Sequence, residues 1–244
     1  MSDTKVEVII VDAGNTRVKV AAFDRGEILE LNTFNTSQYK EFEEFVEKYQ
    51  SPPVFISSVL KDSKLKKFIG SIKDYLLMTN NMKFGVEVEY LSPETLGQDR
   101  LANACAIQKL SPEGKKVSID LGTCIKFDYV DEEGKYLGGS ISPGLRMRYE
   151  ALHYFTGKLP LLETKQEISL IGRNSQDSIH SGVINGMRAE ITHLIECYRQ
   201  DYQGLTFFVT GGDMKYFEFD SKNNIFAHEN LTLLGLYDIY RQNA

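Results

Sequence analysis

Cysteine is scarce here and badly placed for either of its structural uses. The three thiols, Cys105, Cys124 and Cys197, are odd in number and far apart, with no CxxC spacing and no Cys/His pairing, so neither a disulfide framework nor a zinc site is expected. They read as small buried side chains kept reduced. His153, His180, His193 and His228 are scattered and no HExxH occurs, which removes the usual transition-metal catalytic centres. No apolar run reaches the roughly 18 residues needed to cross a bilayer. The opening MSDTKVEVII has no basic stretch leading into an apolar one, so a soluble cytoplasmic protein is expected, without a membrane partner. There is no stripe of Lys and Arg either. A net charge of −6 and a pI near 5.4 argue against nucleic acid as a partner. Neither the P-loop pattern GxxxxGKS/T nor GxGxxG is present, so any nucleotide must be bound by another design.

The 244 residues alternate strand-like and helix-like segments with no Pro/Gly/Ser-rich linker between them, which marks an α/β chain. TSQYKEFEEFVEKYQ places Tyr39, Phe42, Phe45, Val46 and Tyr49 on one helical stripe, with Thr36 or Ser37 as N-cap and Pro52-Pro53 as the stop. VFISSVL reads as a buried strand, SKLKKFIGSIKDYL as a helix, and GVEVEYL as a strand by its period of two. The strongest helical signal is SQDSIHSGVINGMRAEITHLIECYRQDY, with Ile179, Val183, Met187, Ile191, Leu194, Ile195 and Tyr198 along one face. That face is core. Gly182 and Gly186 within it each cost about 1 kcal/mol relative to Ala, so a close approach by a helix, a ligand or a second subunit is expected there.

Two corners carry the chemistry. VEVII runs into VDAGNTRVKV, where a strand stops at Asp12, turns at Gly14 and leaves as another strand. Asp, Gly and Asn make tight turns for conformational reasons alone. The same residues also suit a phosphate loop, in which Gly admits backbone N–H groups, Asn15 and Thr16 donate, and Asp12 holds the accompanying cation. KKVSIDLGTCIKFDYV repeats the pattern about a hundred residues on, with Asp120-Leu121-Gly122 answering Asp12-Ala13-Gly14. The repetition predicts a duplicated fold, residues 1–115 and 116–244, whose halves face a common cleft. A third glycine element, LTFFVTGGD, ends a strand at Gly211-Gly212, where bare backbone could receive adenine or ribose.

DAGNTRVK, PETLGQDR, DLGTCIKFD, GGSISPG, LPLLE and TGGD, in that order across nearly the whole chain, resemble the type III pantothenate kinases. That family belongs to the superfamily of acetate and sugar kinases, Hsp70 and actin, with two ribonuclease-H-like halves that clasp ATP. The resemblance implies transfer of a phosphoryl group from ATP to the primary hydroxyl of pantothenate, giving 4′-phosphopantothenate, the first step toward coenzyme A. It implies that Asp12, Gly14, Asn15, Thr16 and Lys19 surround the ATP phosphates and their Mg²⁺. Asp99 would take the hydroxyl proton, and Tyr90, Gly97 and Arg100 would contact pantothenate. Thr123 would touch ATP, Asp120 would hold a monovalent cation, K⁺ or NH₄⁺, and the chain would form a homodimer. Phosphoryl transfer passes through a loose transition state, so such residues act chiefly by alignment and charge compensation. GQDR precedes the helix-like RLANACAIQKL, so Asp99 and Arg100 are expected at a helix N-terminus, where the dipole favours anions. By strand alternation Lys19 either meets phosphate or faces solvent.

The chain departs from the family pattern at three positions. Ser175 stands where a substrate-binding Thr is usual, keeping the hydroxyl. Cys124 and Lys126 replace the commoner Ala and Thr after DLGT. Lys126 either adds charge beside the phosphate loop or points away from it. Two other functions share such a fold: a noncatalytic nucleotide-binding regulator, and a phosphohydrolase acting on polyphosphate. The carboxylate of Asp99 beside a substrate-binding Arg favours the kinase.

Overall fold

The computed structural model describes residues 5–14, 17–219 and 223–244. The chain forms two compact units, one of residues 1–110 with 230–244, the other of residues 111–229.

The first unit is built on β1 (Val8–Ala13), whose residues Val8 to Val11 are wholly buried, as a central strand covered on both faces requires. It pairs antiparallel with β2 (Val18–Asp24) on one side. On the other it pairs parallel with β4 (Val54–Ser58). β2 turns into β3 (Glu27–Phe34) through Arg25 and Gly26, both at positive φ, the two-residue hairpin that matches strand twist. With β5 (Tyr75–Leu77) the order is β3-β2-β1-β4-β5. Helices α1 (Tyr39–Lys48) and α2 (Asp62–Ile69) bury Phe42, Phe45, Val46, Leu65, Phe68 and Ile69 against this sheet. The Phe42 and Phe68 rings stack at 4.7 Å, an aromatic pair worth about 1 kcal/mol beyond its area.

Three local expectations are corrected. The cap of α1 is Gln38 rather than Thr36 or Ser37, because the Gln38 side chain accepts the Asn35 N–H at 2.8 Å and closes the entry turn itself. The helix expected through Leu76 ends at Ile69: Gly70 takes φ +64° and the Glu43 carboxylate accepts the Ser71 N–H at 2.6 Å. The apolar Tyr75–Leu77 then finds the sheet edge beside β4. GVEVEYL yields only the two-residue β6 (Glu87–Val88). Alternation records burial, here Val86 inside and Leu91 fully exposed, and burial alone does not fix how far a ladder extends.

Behind the sheet lie α3 (Gln98–Leu110) and α6 (Leu231–Asn243). Gly235 of α6 sits so close to the Ala102 backbone that a Cβ would collide with it. Tyr237 stacks on Phe23 at 4.6 Å and donates to Glu7 at 2.7 Å. The apolar side chains of LTLLGLYDIY are largely buried inside the first unit, and 230–244 joins that unit instead of the expected second half.

The second unit repeats the plan. Its β7 (Lys116–Leu121) is buried throughout, antiparallel to β8 (Cys124–Val130), which pairs with β9 (Lys135–Pro143). On the other side β10 (Thr206–Thr210) runs parallel to β7, with β11 (Ile225–Ala227) beyond. The order β9-β8-β7-β10-β11 reproduces that of the first unit strand for strand and in the same senses. The expected duplication is present. Helices α4 (Leu145–Phe155) and α5 (Ser175–Asp201) cover one face, burying Leu145, Tyr149, Ile179, Val183, Met187 and Ile191. Tyr149 Oη lies 2.9 Å from His180 Nδ1, and burial lowers the pKa of that imidazole. Among the thiols only Cys105 is fully buried, its pKa pushed up to about 12 by burial; Cys124 and Cys197 are half-exposed, and all three are free.

Candidate active site

The first corner lies at the end of β1. Asp12 stands opposite Lys19 on β2 and beside Ser57 on β4. Directly opposed residues of an antiparallel pair share a face, so Lys19 lies on the same side of the sheet as Asp12. Both are half-buried. Four residues separate Ala13 from Val18, and the Gly14 N–H closes the loop onto the Arg17 carbonyl at 3.1 Å. Asn15 and Thr16 lie outside the described residues.

In the same unit, GQDR forms the N-terminus of α3. Gln98 pins that helix start in two directions, donating to the Met78 carbonyl at 2.8 Å and accepting the Ser58 N–H at 3.2 Å. Asp99 Oδ1 accepts the Arg100 N–H at 2.9 Å. A Cβ at Gly97 would stand 2.7 Å from that oxygen, so glycine keeps the carboxylate's space clear. Arg100 is buried, 5% exposed, with its guanidinium 5.7 Å from the centroid of the Tyr90 ring, a cation–π arrangement. Tyr90, Gly97, Asp99 and Arg100 are thus brought together. Gly97 and Gln98 line a cavity of about 620 Å³ with Ser58, Met78, Asn80 and Thr95. The helix N-terminus faces the cluster with its positive dipole end.

The second corner has a shorter loop, with three residues between Leu121 and Ile125. Asp120 stands opposite Lys126 and beside Thr210. Lys126 Nζ lies 2.7 Å from Asp120 Oδ2, and the two side chains are only 13% and 12% exposed. Lys126 therefore turns toward the loop. Thr123 is exposed at the tip, its carbonyl accepting the Gly144 N–H at 3.0 Å. Gly211 adopts φ +102°, and a Cβ there would strike the Leu121 backbone. Only glycine permits the close approach of the ends of β10 and β7. Beyond it Gly212 is exposed, and the Asp213 N–H returns to the Leu121 carbonyl at 2.9 Å. The Asp213 carboxylate accepts the Leu145 N–H at the start of α4. Burial raises its pKa above the ordinary carboxylate value, the Asp120 charge adds to the rise, and Lys215 and the Leu145 bond oppose it. Sequence reasoning had TGGD but gave its aspartate no role; an acid closing a strand–glycine–glycine run was the signal. Ser175 opens α5, exposed, next to the Asn174 cap, whose side chain accepts the Asp177 N–H at 2.9 Å.

Among the described residues no three His, Cys, Asp or Glu side chains form a metal cage, and no helix is long and apolar enough to cross a membrane.

Five strands of one order and the same senses in each unit, each turning at an Asp/Gly corner, are the duplicated fold of the actin-like ATPases and sugar kinases. Solved structures agree on the fold. A Campylobacter jejuni chain described as a Baf family transcriptional activator superposes with a TM-score of 0.61 at 21% identity, over 96% of this chain and 97% of that one. The activator of 2-hydroxyisocaproyl-CoA dehydratase from Clostridium difficile, with bound ADPNP, gives 0.51 at 10% identity, over 96% and 95%. A family model described as type III pantothenate kinase matches residues 8–197. A type III pantothenate kinase of Flavobacterium johnsoniae is 37% identical over 237 residues, 96% of this chain and 97% of that one. That of Cytophaga hutchinsonii is 34% identical over 236 residues, 97% and 99%. The chain belongs to the type III pantothenate kinase family and is accordingly an enzyme, phosphorylating pantothenate on the way to coenzyme A.

Proposed function

We propose that Asp99 is the group that receives the proton when the primary hydroxyl of pantothenate attacks the γ-phosphorus of ATP. The new O–P bond forms as the bond to the β-phosphate oxygen breaks, ADP leaves, and the proton passes to the Asp99 carboxylate. The observation that carries this is the Gly97-Asp99-Arg100-Tyr90 cluster at the start of α3, next to a cavity of about 620 Å³. A carboxylate is a weak base, but in a loose transition state the proton leaves late and a fixed acceptor suffices. Gln98 supplies that fixity by tying the helix start to two neighbouring segments. The buried guanidinium of Arg100, held over Tyr90, would receive the carboxylate or amide oxygens of pantothenate, and Ser175 would add a hydroxyl.

At the first corner, Asp12 offers a hard oxygen suited to Mg²⁺ carried by the phosphates, with Gly14, Asn15, Thr16 and Lys19 as phosphate contacts. Bound Mg²⁺ would neutralise phosphate charge as it shifts to the leaving group. Thr123, Gly211 and Gly212 would meet the nucleotide. A monovalent cation at Asp120 fits less well, because that carboxylate is already engaged by Lys126. A homodimer is supported by exposed apolar side chains on the second unit, Tyr154, Phe155, Leu170 and Ile171. We place the reaction in the cytoplasm.

The test is ADP release by the purified chain with ATP, Mg²⁺ and pantothenate. Asp99→Asn is expected to lower kcat by about 10²–10⁴-fold with little change in KM for ATP. An active Asp99→Asn would assign the proton elsewhere. ADP release indifferent to pantothenate would indicate a phosphohydrolase, and nucleotide binding without turnover a regulator.

A further inference from the structure

The corner at Asp120 already contains a cation. Asp120 and Lys126 are directly opposed on β7 and β8, so both side chains leave the same face of the sheet. The lysine stem reaches its partner without crossing the strand, and the ammonium sits 2.7 Å from Oδ2, the length of a charge-assisted hydrogen bond. With the two side chains 13% and 12% exposed, little solvent is present to screen the pair. The surroundings call for positive charge. Asp213 lies near enough to Asp120 for that charge to raise its pKa, on top of the larger effect of burial. Two carboxylates in one corner would repel a polyphosphate unless one were neutralised.

An alkylammonium is chemically a substituted NH₄⁺: one positive charge, three N–H donors and a fixed tether. A free monovalent ion competing for Asp120 would have to displace a group held opposite that carboxylate by its own backbone. Strand register also keeps Lys126 opposite Asp120.

We propose that Lys126 is the built-in monovalent cation of the second corner, its ammonium taking the place at Asp120 that K⁺ or NH₄⁺ would occupy, so that the chain needs no added monovalent ion. This rests on the kinase reading above. It departs from what the family resemblance implies for Asp120.

The experiment compares the full chain in KCl, NH₄Cl and choline chloride at equal ionic strength, with ADP read directly by chromatography so that no coupling enzyme brings its own ion requirement. Wild-type rates are expected to agree within about twofold in all three salts, and the melting temperature is expected to be the same in each. Lys126→Met, which keeps the length of the stem, is expected to lose about tenfold or more in choline chloride, with saturable recovery in NH₄Cl or KCl. Its melting temperature should rise on adding those ions, because a ligand that binds only the folded state stabilises it. Wild-type activity or melting that responds saturably to K⁺ over choline overturns the proposal, as does a Lys126→Met enzyme fully active in choline. Should the variant fail to fold, the wild-type arms decide alone. No pantothenate-dependent ADP in any salt would defeat the kinase reading instead, while the melting comparison would still test the ion.

Discussion

The two corners share a backbone plan and differ in how they handle charge. In each, a buried strand carries an aspartate one residue before its end, turns through glycine and returns with a lysine opposite that aspartate: Asp12 with Lys19, Asp120 with Lys126. The first loop has four residues between its last paired positions, and both charged residues are half-buried. The second has three, and its pair is closed at 2.7 Å and nearly sealed from solvent. Duplication keeps an acid and an opposed lysine at the same place in each unit, while the second loop is one residue shorter. On the readings proposed above, the first corner would take a metal that arrives with its nucleotide, and the second would carry its counter-charge in Lys126.

The comparison is sharpest in paired substitutions. Asp120→Ala leaves an enclosed ammonium without its carboxylate, and losing one partner of a shielded pair costs about 3–5 kcal/mol. Asp12→Ala, at a half-buried position, is expected to cost about 1 kcal/mol in stability while depressing activity and raising the Mg²⁺ concentration needed. Urea melts of both variants, with a Mg²⁺ titration of the second, check this. Equal losses of stability would mean that the corners handle charge alike.

A smaller effect separates the corners by pH. Asp213 beside Asp120 has a folded pKa raised above its ordinary value of 3.8, mainly by burial. A carboxylate so shifted prefers its protonated form in the folded state. Its contribution to stability is full below the unfolded pKa and is lost as pH rises through the folded one. Asp213→Asn keeps an oxygen to accept the Leu145 N–H and removes the ionisation. The variant is therefore expected to be more stable than wild type above that window, with the advantage vanishing in acid, as melts at several pH values would read. A constant offset would mean that the substitution acts through packing.

Much of this was legible in the sequence, for identifiable reasons. Strand-like runs ending in Asp-x-Gly, continuously apolar in VIIV and broken by Ser118 in KKVSI, located β1 and β7. GQDR before a helical pattern located the Asp99 cluster, and the stripe from Ile179 to Tyr198 located α5. Other features depend on distances that sequence does not carry. The direction of Lys126 follows from register, which one loop residue sets. The apolar LTLLGLYDIY signalled burial without naming a partner, and its place in the first unit depends on the contact of Gly235 with Ala102. Helix α4, whose LRMRYEALHYF leaves Tyr154 and Phe155 exposed, has no clean amphipathic stripe to announce it.

The smallest effect tests a helix of the second unit. Gly182 and Gly186 of α5 were expected to permit a close approach, yet a Cβ at either would meet nothing within 4 Å among the described residues. Within one chain, Gly→Ala at these helical positions removes unfolded-state freedom at no steric cost and is expected to stabilise by up to about 1 kcal/mol each. If a second copy packs its backbone against this stretch, the same methyl groups occupy space the partner needs, and the variant dissociates at higher protein concentration than wild type. Thermal melts together with sedimentation across a dilution series separate the two outcomes. A higher melting temperature with unchanged association leaves the glycines facing water, whereas weakened association places α5 in the contact between subunits.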